Sequence, residues 1–499
     1  MLAAPWQKPG RPPIIKVLLP LGPPNRGSPK QPPFSVPNAL AHMDTALSYA
    51  EANADRFVGE LKELLRIPSV STDSAYAEEV QRAATWLTDH FDDIGMAHTE
   101  RIETDGHPLV YAEHITDPAN PTVVVYGHYD VQPPDPLEEW DTDPFEPTQR
   151  GDRLYARGAC DDKGQMFMQV KAAEAYLSAE GELPVNLKYV LEGEEETGSV
   201  EMEAYIQDDG ERLDGDVVLI SDTAMFSEDT PSITYGLRGL AYAEITLRGP
   251  NRDLHSGNYG GAVDNPCNAL SRVVAGLHDA DHRIAIPGFY DDVRDLTEEE
   301  RDTYAALPFD EDAWMDTLDI DDVRTEGGYT TFECLTARPT LDVNGLWGGY
   351  TGEGAKTVLP STAHAKLSMR LVPEQDVDDI YDKLEAHLKS EVPDTMTLTM
   401  RRLHGGDPVL VDPSIPAMQS AKHAMGEVRG TEPVFVRNGG TIPVVADFQQ
   451  HLGMDSVLMG FGLDADAIHS PNESFGLDRF HQGIQAIIRF HDHYAEMEA

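Results

Sequence analysis

Residues 123–135 read VVVYGHYDVQPPD. A run of β-formers ends on His128 and Asp130, and a proline-rich turn follows at once. A strand does not finish on two side chains that are costly to bury unless they have partners. Other apolar runs in the chain end in a similar way. NLKYVLEG leads into Glu194-Glu195-Glu196, DVVLIS into Asp222, and VLMGFG into a loop carrying His469. Asp161 and Asp162, in GACDDKG, stand just before a helical pattern between the first two of these strands.

Outward from these runs, strands alternate with helices: TVVVYG, GQMFMQVKAAEAYLSAEG, NLKYVLEG, VEMEAYIQDD and DVVLIS. That order predicts βαβ units and a mainly parallel sheet. Upstream, ALSYAEANADRFVGELKELLRI reads as one helix stopped by Pro68, and AEEVQRAATWLTDHFDDIG as a second. After Tyr235 the pattern changes. LAYAEITLRG alternates like a half-buried strand, and CNALSRVVAGLHDA is helical. Residues 291–322 are strongly acidic, and AHAKLSMRLV, VDDIYDKLEAHLKSE and TMTLTMRRL complete an α+β unit. The α/β pattern then resumes with SIPAMQSAKHAMG, DSVLMGFG and a last helix. The expected fold class is α/β: a catalytic domain split into residues 43–235 and 404–499, with an α+β domain of residues 236–403 inserted between them.

The 499 residues carry a formal charge of −49, with acids spread along the whole chain. A self-repelling acidic surface of this kind fits concentrated salt, which screens the repulsion, so a salt-adapted cytoplasmic protein is expected. Nucleic-acid binding is disfavoured, because phosphate contact needs a basic face. Three cysteines without CxxC spacing read as a reducing compartment with no disulfide framework. No apolar window is long enough to span a membrane. The opening, residues 1–42, is basic and proline-rich with no Asp or Glu, and reads as a disordered tail.

In open α/β sheets, ligands gather at the carboxyl ends of strands. His128, Asp161, the 194–196 glutamates, Asp222 and His469 would therefore collect at one sheet edge. Imidazoles mixed with carboxylates suit Zn, Mn or Co better than Ca or Mg. The set is too large for one tetrahedral site and suits two ions with one bridging carboxylate. Such a centre lowers the pKa of water and polarises a carbonyl. It also needs a base that is not itself a ligand, and adjacent glutamates could divide those roles.

The motifs YGHYDVQPP, YARGACDDKGQ, LEGEEETGS, LISD and AIHSPNE resemble the signature set of the M20 metallopeptidase family. The likeness continues through YGLRGL, DLHSGNYGGAVDNP, GAKTVLP, RLVP, HGGDP and GGTIPV, and is strongest to nonspecific dipeptidases of the carnosinase branch. By this resemblance, His128 and Asp222 would hold one ion, Glu196 and His469 the other, and Asp161 would bridge them before a cis peptide bond. Glu195 would be the general base, and Asp130 would orient His128. The inserted domain would be a lid and dimerisation domain. His255 would reach the active site of the other subunit of a homodimer and stabilise the oxyanion, with Thr357 on the same side. Arg370 would hold the substrate carboxylate, beside His404 and Thr441.

The expected activity is two-metal hydrolysis of dipeptides or short peptides with a free carboxylate. The alternative is a deacylase of N-acetyl, N-succinyl or N-carbamoyl amino acids on the same scaffold. One departure bears on the choice. Asn438 precedes GGT, where relatives often have an acid, which touches the reading of a free substrate amine.

Overall fold

The strand Thr122–His128 is buried from Val123 to His128, because it lies inside a sheet covered on both faces. In the computed structural model, which describes residues 39–498, it pairs in parallel with Asn186–Glu192 on one side and Val217–Ile220 on the other. Ser456–Leu458 adds a fourth parallel strand beside Val217–Ile220. Antiparallel strands flank this centre: Leu109–His114 and His98–Ile102 at one side, and Ser232–Leu237 with Val409–Leu410 at the other. Val434–Asn438 runs parallel to Ser232–Leu237. The sheet is thus parallel where the four polar-ended strands lie and mixed beyond them.

The helix Lys163–Ala179 is buried at every position from Lys163 to Tyr176. Its all-round burial follows from its place between the sheet and other helices: Tyr189 donates to the Gln169 carbonyl, and Tyr176 donates to that of Ile488 in the last helix, Leu477–Glu498. The helix Ala77–Ile94 ends on Gly95 at φ 90°, a left-handed cap that a residue with a Cβ would resist. The single helix expected over the 44–67 stretch is instead two, Ala39–Ala52 and Ala54–Leu65. They break at Asn53, whose side chain donates back to the Tyr49 carbonyl. The basic opening, up to residue 38, lies outside the described residues.

A second, antiparallel sheet orders Thr340–Gly348, Thr362–Leu371, Gly239–Arg248 and Thr397–Gly406. Its two central strands alternate buried and half-buried residues, the period-2 signature of one covered face. The covering helices are Pro266–Ala275 and Val377–Glu391, and Leu270, Val273, Leu384 and Leu388 join Ile245, Leu247 and Leu367 in a core separate from that of the large sheet. The acidic stretch forms the helices Glu298–Ala306 and Glu311–Leu318, each started by a side-chain cap, from Thr297 and Asp310.

Candidate metal centre

Because the four parallel strands are neighbours, their carboxyl ends deliver side chains to one place. His128 is the last residue of its strand. The glutamates follow Asn186–Glu192 in a short 3-10 turn, Asp222 follows Val217–Ile220, and His469 lies in the loop beyond Ser456–Leu458. Asp161 comes from the turn before Lys163–Ala179, and its peptide bond to Asp162 is cis.

Asp161 faces both ways. Its Oδ1 lies 3.1 Å from His128 Nε2, and its Oδ2 lies 2.8 Å from His469 Nε2. His128 Nε2 is 3.8 Å from Asp222 Oδ2, and His469 Nε2 is 3.4 Å from Glu196 Oε1. Two donor triads result, His128–Asp161–Asp222 and Asp161–Glu196–His469, each with its ligand atoms within 4.8 Å of one another. Asp162 instead turns into the protein and accepts the His128 N–H at 3.2 Å.

The electrostatics fit cations at this place. Burial, with the charge of Asp161, pushes Asp222 up to about 7. Hydrogen bonds that His469 donates to Asp161 and Glu196 raise its pKa to about 10. Burial alone would raise Asp161, but hydrogen bonds from His128 and His469 outweigh it and hold this carboxyl low. Crowded carboxylates that draw protons onto neighbouring histidines show an excess of negative charge, which divalent ions bound to these donors would neutralise.

The three glutamates separate in role. Glu194 turns away and accepts the His107 N–H at 2.9 Å. Glu196 offers one oxygen to His469, while its other accepts from Gln132 at 2.6 Å. Among the described residues the Glu195 carboxylate takes no hydrogen bond within the protein, and burial, with the charges of Asp222 and Glu196 adding, pushes it well above the usual carboxylate range.

Asp130 is fully buried and does more than the HxD spacing suggested. Its carboxylate lies 3.3 Å from His128 Nδ1, though its backbone carbonyl is slightly closer at 3.1 Å. The same carboxylate accepts from Ser71 Oγ at 2.6 Å and from the backbone N–H groups of Glu195 and Glu196, at 3.3 and 3.1 Å. It ties the end of one strand to the turn after the next.

Two buried carboxylates that sequence reasoning did not single out hold the His469 loop. Glu473 accepts from Arg157 and from the N–H groups of Gly158, Cys160 and Asp161. Asp466 pairs with Arg479 and Arg153. Pinned on both sides, His469 adopts φ 58° and remains 52 % exposed. The one sequence signal for Glu473 was its place in AIHSPNE, four residues after His469.

The remaining candidates form two groups. Arg370 donates to Thr441 Oγ1 at 2.6 Å, Thr441 donates to the Arg238 carbonyl at 2.5 Å, and His404 packs edge-on against Tyr242. Burial, then the charge of Arg370, pushes Arg238 down to about 10 and lowers His404. Arg238 is a second cation here that the sequence reading left unassigned. Separately, Thr357 Oγ1 sits 3.5 Å from His255 Nε2, beside the short ladder Leu254–His255/Val358–Leu359, and His255 is exposed. Among the described residues, no hydrogen bond or ion pair joins either group to the two metal-ligand triads.

Comparison with known proteins gives one answer. The model of peptidase family M20/M25/M40 matches residues 124–493. The Cys-Gly metallodipeptidase of Schizosaccharomyces pombe is 33 % identical over 458 residues, covering 89 % of this chain and 96 % of that protein. The human Beta-Ala-His dipeptidase is 32 % identical over 474 residues, covering 91 % and 93 %. Among solved structures, the M20 family metallo-carboxypeptidase Sso-CP2 of Sulfolobus solfataricus superposes with a TM-score of 0.79 at 35 % identity, covering 88 % of this chain and 99 % of that one.

Proposed function

Since the chain belongs to peptidase family M20/M25/M40, we propose that it is a two-metal dipeptidase acting on dipeptides or short peptides with a free carboxylate. One observation carries this reading: the two oxygens of Asp161 face two different histidines, each beside one further carboxylate. The donors suit Zn or Mn, and also Co. His128 and Asp222 would hold one ion, Glu196 and His469 the other, with Asp161 shared. Such ions lower the pKa of water and polarise a carbonyl when bound.

Glu195 is the base. Among the described residues its carboxylate takes no hydrogen bond, which leaves it available to take the proton of the attacking water and return it to the leaving nitrogen. Arg370 would grip the substrate carboxylate as a fork, with Arg238 adding positive charge and His404 and Thr441 lining the pocket. Two partly desolvated cations so close are stabilised by an anion between them.

His255 and Thr357 would donate to the oxyanion from the second subunit of a homodimer, with residues 236–403 as lid and dimerisation domain. The exposed apolar side chains Val343, Leu346 and Trp347 on the edge strand Thr340–Gly348, with Tyr350, favour a surface covered by a second copy. Among the described residues no helix is long and apolar enough to cross a membrane. All three cysteines are free, which supports a reducing, cytoplasmic setting, and the acidic composition supports a salt-adapted one.

That the relatives are named Cys-Gly and Beta-Ala-His dipeptidases supports the reading with an unblocked dipeptide as substrate. Asn438 is the observation that keeps the deacylase as a second reading. Its Oδ1 accepts the Gly440 N–H at 2.8 Å, so it closes the GGT turn and brings no charge for a substrate amine. The test is amine release, in concentrated KCl, from free dipeptides and matched N-acetyl and N-succinyl amino acids, before and after EDTA and after Mn²⁺ or Zn²⁺ is restored. Metal-dependent cleavage of the dipeptides supports the proposal, and cleavage of the blocked amino acids alone rejects it.

A further inference from the structure

The last helix, Leu477–Glu498, packs antiparallel on Pro416–Arg429: Ser420 meets Met497 at one end, and Arg429 meets Gln482 towards the other. Between these contacts three metal-binding side chains converge. His423 and Glu427 stand one turn apart on one helix, with Nε2 and Oε1 3.1 Å apart. From the facing helix, His493 brings Nε2 to 3.5 Å from Glu427 Oε2. The two imidazoles meet edge to face with centroids 4.4 Å apart, and one donor atom from each of the three residues lies within 4.8 Å of the others. A tetrahedral ion with bonds of about 2.0–2.2 Å spaces its donors roughly 3.4 Å apart. The separations found here, 3.1 Å from His423 to Oε1 and 3.5 Å from His493 to Oε2 of the same carboxylate, are close to that spacing.

A solvated ion pair would leave no atom unsatisfied, and this cluster leaves one. Among the described residues, His493 Nε2 is shut off from solvent and has no hydrogen-bond partner beyond its long 3.5 Å approach to Glu427 Oε2, while His423, 59 % exposed, and Glu427, 38 % exposed, keep the other side open to water. Burial, then the charge of His423, lowers the His493 pKa despite Glu427. Glu496, three residues further on, adds negative charge to the same place. The competitor is Arg489, whose Nε donates to Glu427 Oε2 at 3.0 Å and whose Nη1 donates to the Gln485 carbonyl. It leaves Oε1 free.

We propose that His423, Glu427 and His493 form a surface site for a first-row divalent cation of the Zn²⁺ and Cu²⁺ class, with Glu496 or water completing the shell. Two imidazoles and a carboxylate select such ions over Ca²⁺ or Mg²⁺. None of the three residues belongs to the strand-end set around Asp161, so the site is independent of the hydrolytic centre. Its bound ion would clamp the last turns of the C-terminal helix to its neighbour.

The test dialyses the full-length chain against micromolar Zn²⁺ and measures bound metal for the wild type, for His423→Gln, and for the double variant His423→Gln, His493→Gln. The expected result is one ion fewer per chain in each variant, with hydrolytic activity unchanged. With Cu²⁺ in place of Zn²⁺, the wild type should also show a nitrogen-coordinated electron paramagnetic resonance signal beyond that of the Asp161 centre, and both variants should keep only the latter. Equal metal content in the wild type and variants overturns the proposal. Should the double variant fail to fold, the exposed His423→Gln change alone decides.

Discussion

Glu473 Oε1 accepts the backbone N–H of Asp161 at 3.1 Å. The same oxygen takes the Cys160 N–H at 2.9 Å, and Oε2 takes Gly158 N–H at 3.0 Å and Arg157 Nη1 at 2.8 Å. A single buried side chain from the loop that carries His469 therefore fixes the turn that carries Asp161. Two candidate ligands far apart in sequence are held as one unit.

Replacing this anchor should be costly. Glu473→Ala leaves the buried guanidinium of Arg157 without its partner, and breaking such a pair costs about 3–5 kcal/mol. Chemical denaturation should show that loss, and metal affinity should fall with it. A variant with wild-type stability and wild-type affinity would show that Glu473 positions nothing.

Asp130 should act through what it orients. Asp130→Asn weakens its hold on His128 and on the N–H groups of Glu195 and Glu196, so metal affinity should drop by about 10–100-fold. Chelator competition measures this directly. Unchanged affinity would mean that the backbone carbonyl of Asp130, closer to His128 Nδ1, orients the ring alone.

Glu195→Ala should separate chemistry from metal binding. Turnover should fall by about 10²–10⁴-fold, as for a lost general base, while metal content stays at the wild-type level. Loss of metal on this change would transfer Glu195 from base to ligand.

The trans role of His255 can be tested by mixing subunits. His255→Ala should lose about 10²–10³-fold in rate yet keep its metals. Mixed with inactive Glu195→Ala under conditions of subunit exchange, it should regain activity, because a hybrid dimer supplies each group from a different chain. No recovery in demonstrated hybrids would place His255 in its own subunit's site or outside catalysis.

The last helix sets a pH limit on stability. His491 is fully buried with both ring nitrogens unsatisfied, and burial pushes its pKa from 6.5 down to about 3. The unfolded chain then binds more protons than the folded one below pH 6.5, so the stability held above that pH is lost as pH falls toward 3. The group should cost about 2 kcal/mol between pH 7.5 and pH 5. Urea midpoints for the wild type should fall over this interval by more than those of His491→Phe. An equal fall in both would remove His491 from the account.

The parts of the molecule that were legible in sequence were those set by side-chain pattern. Uninterrupted apolar runs predicted parallel strands, and these strands bring His128, Asp222, Glu196 and His469 to one edge. Less legible was whatever depends on the path of the turns. Glu194, Glu195 and Glu196 are identical in sequence terms, and only the 3-10 turn sends the first to His107 and the third to His469. Asn53 breaks a continuous helical pattern because its side chain competes for the Tyr49 carbonyl. Glu473 and Arg157 show no periodicity, and only folding brings them to 2.8 Å.

The most direct test of the account is a crystal structure of the full chain with Mn²⁺, using anomalous scattering to locate the ions. The account predicts two neighbouring peaks on either side of Asp161, one beside His128 and Asp222 and the other beside Glu196 and His469. A single peak at saturating Mn²⁺, or two peaks not joined by Asp161, would contradict it.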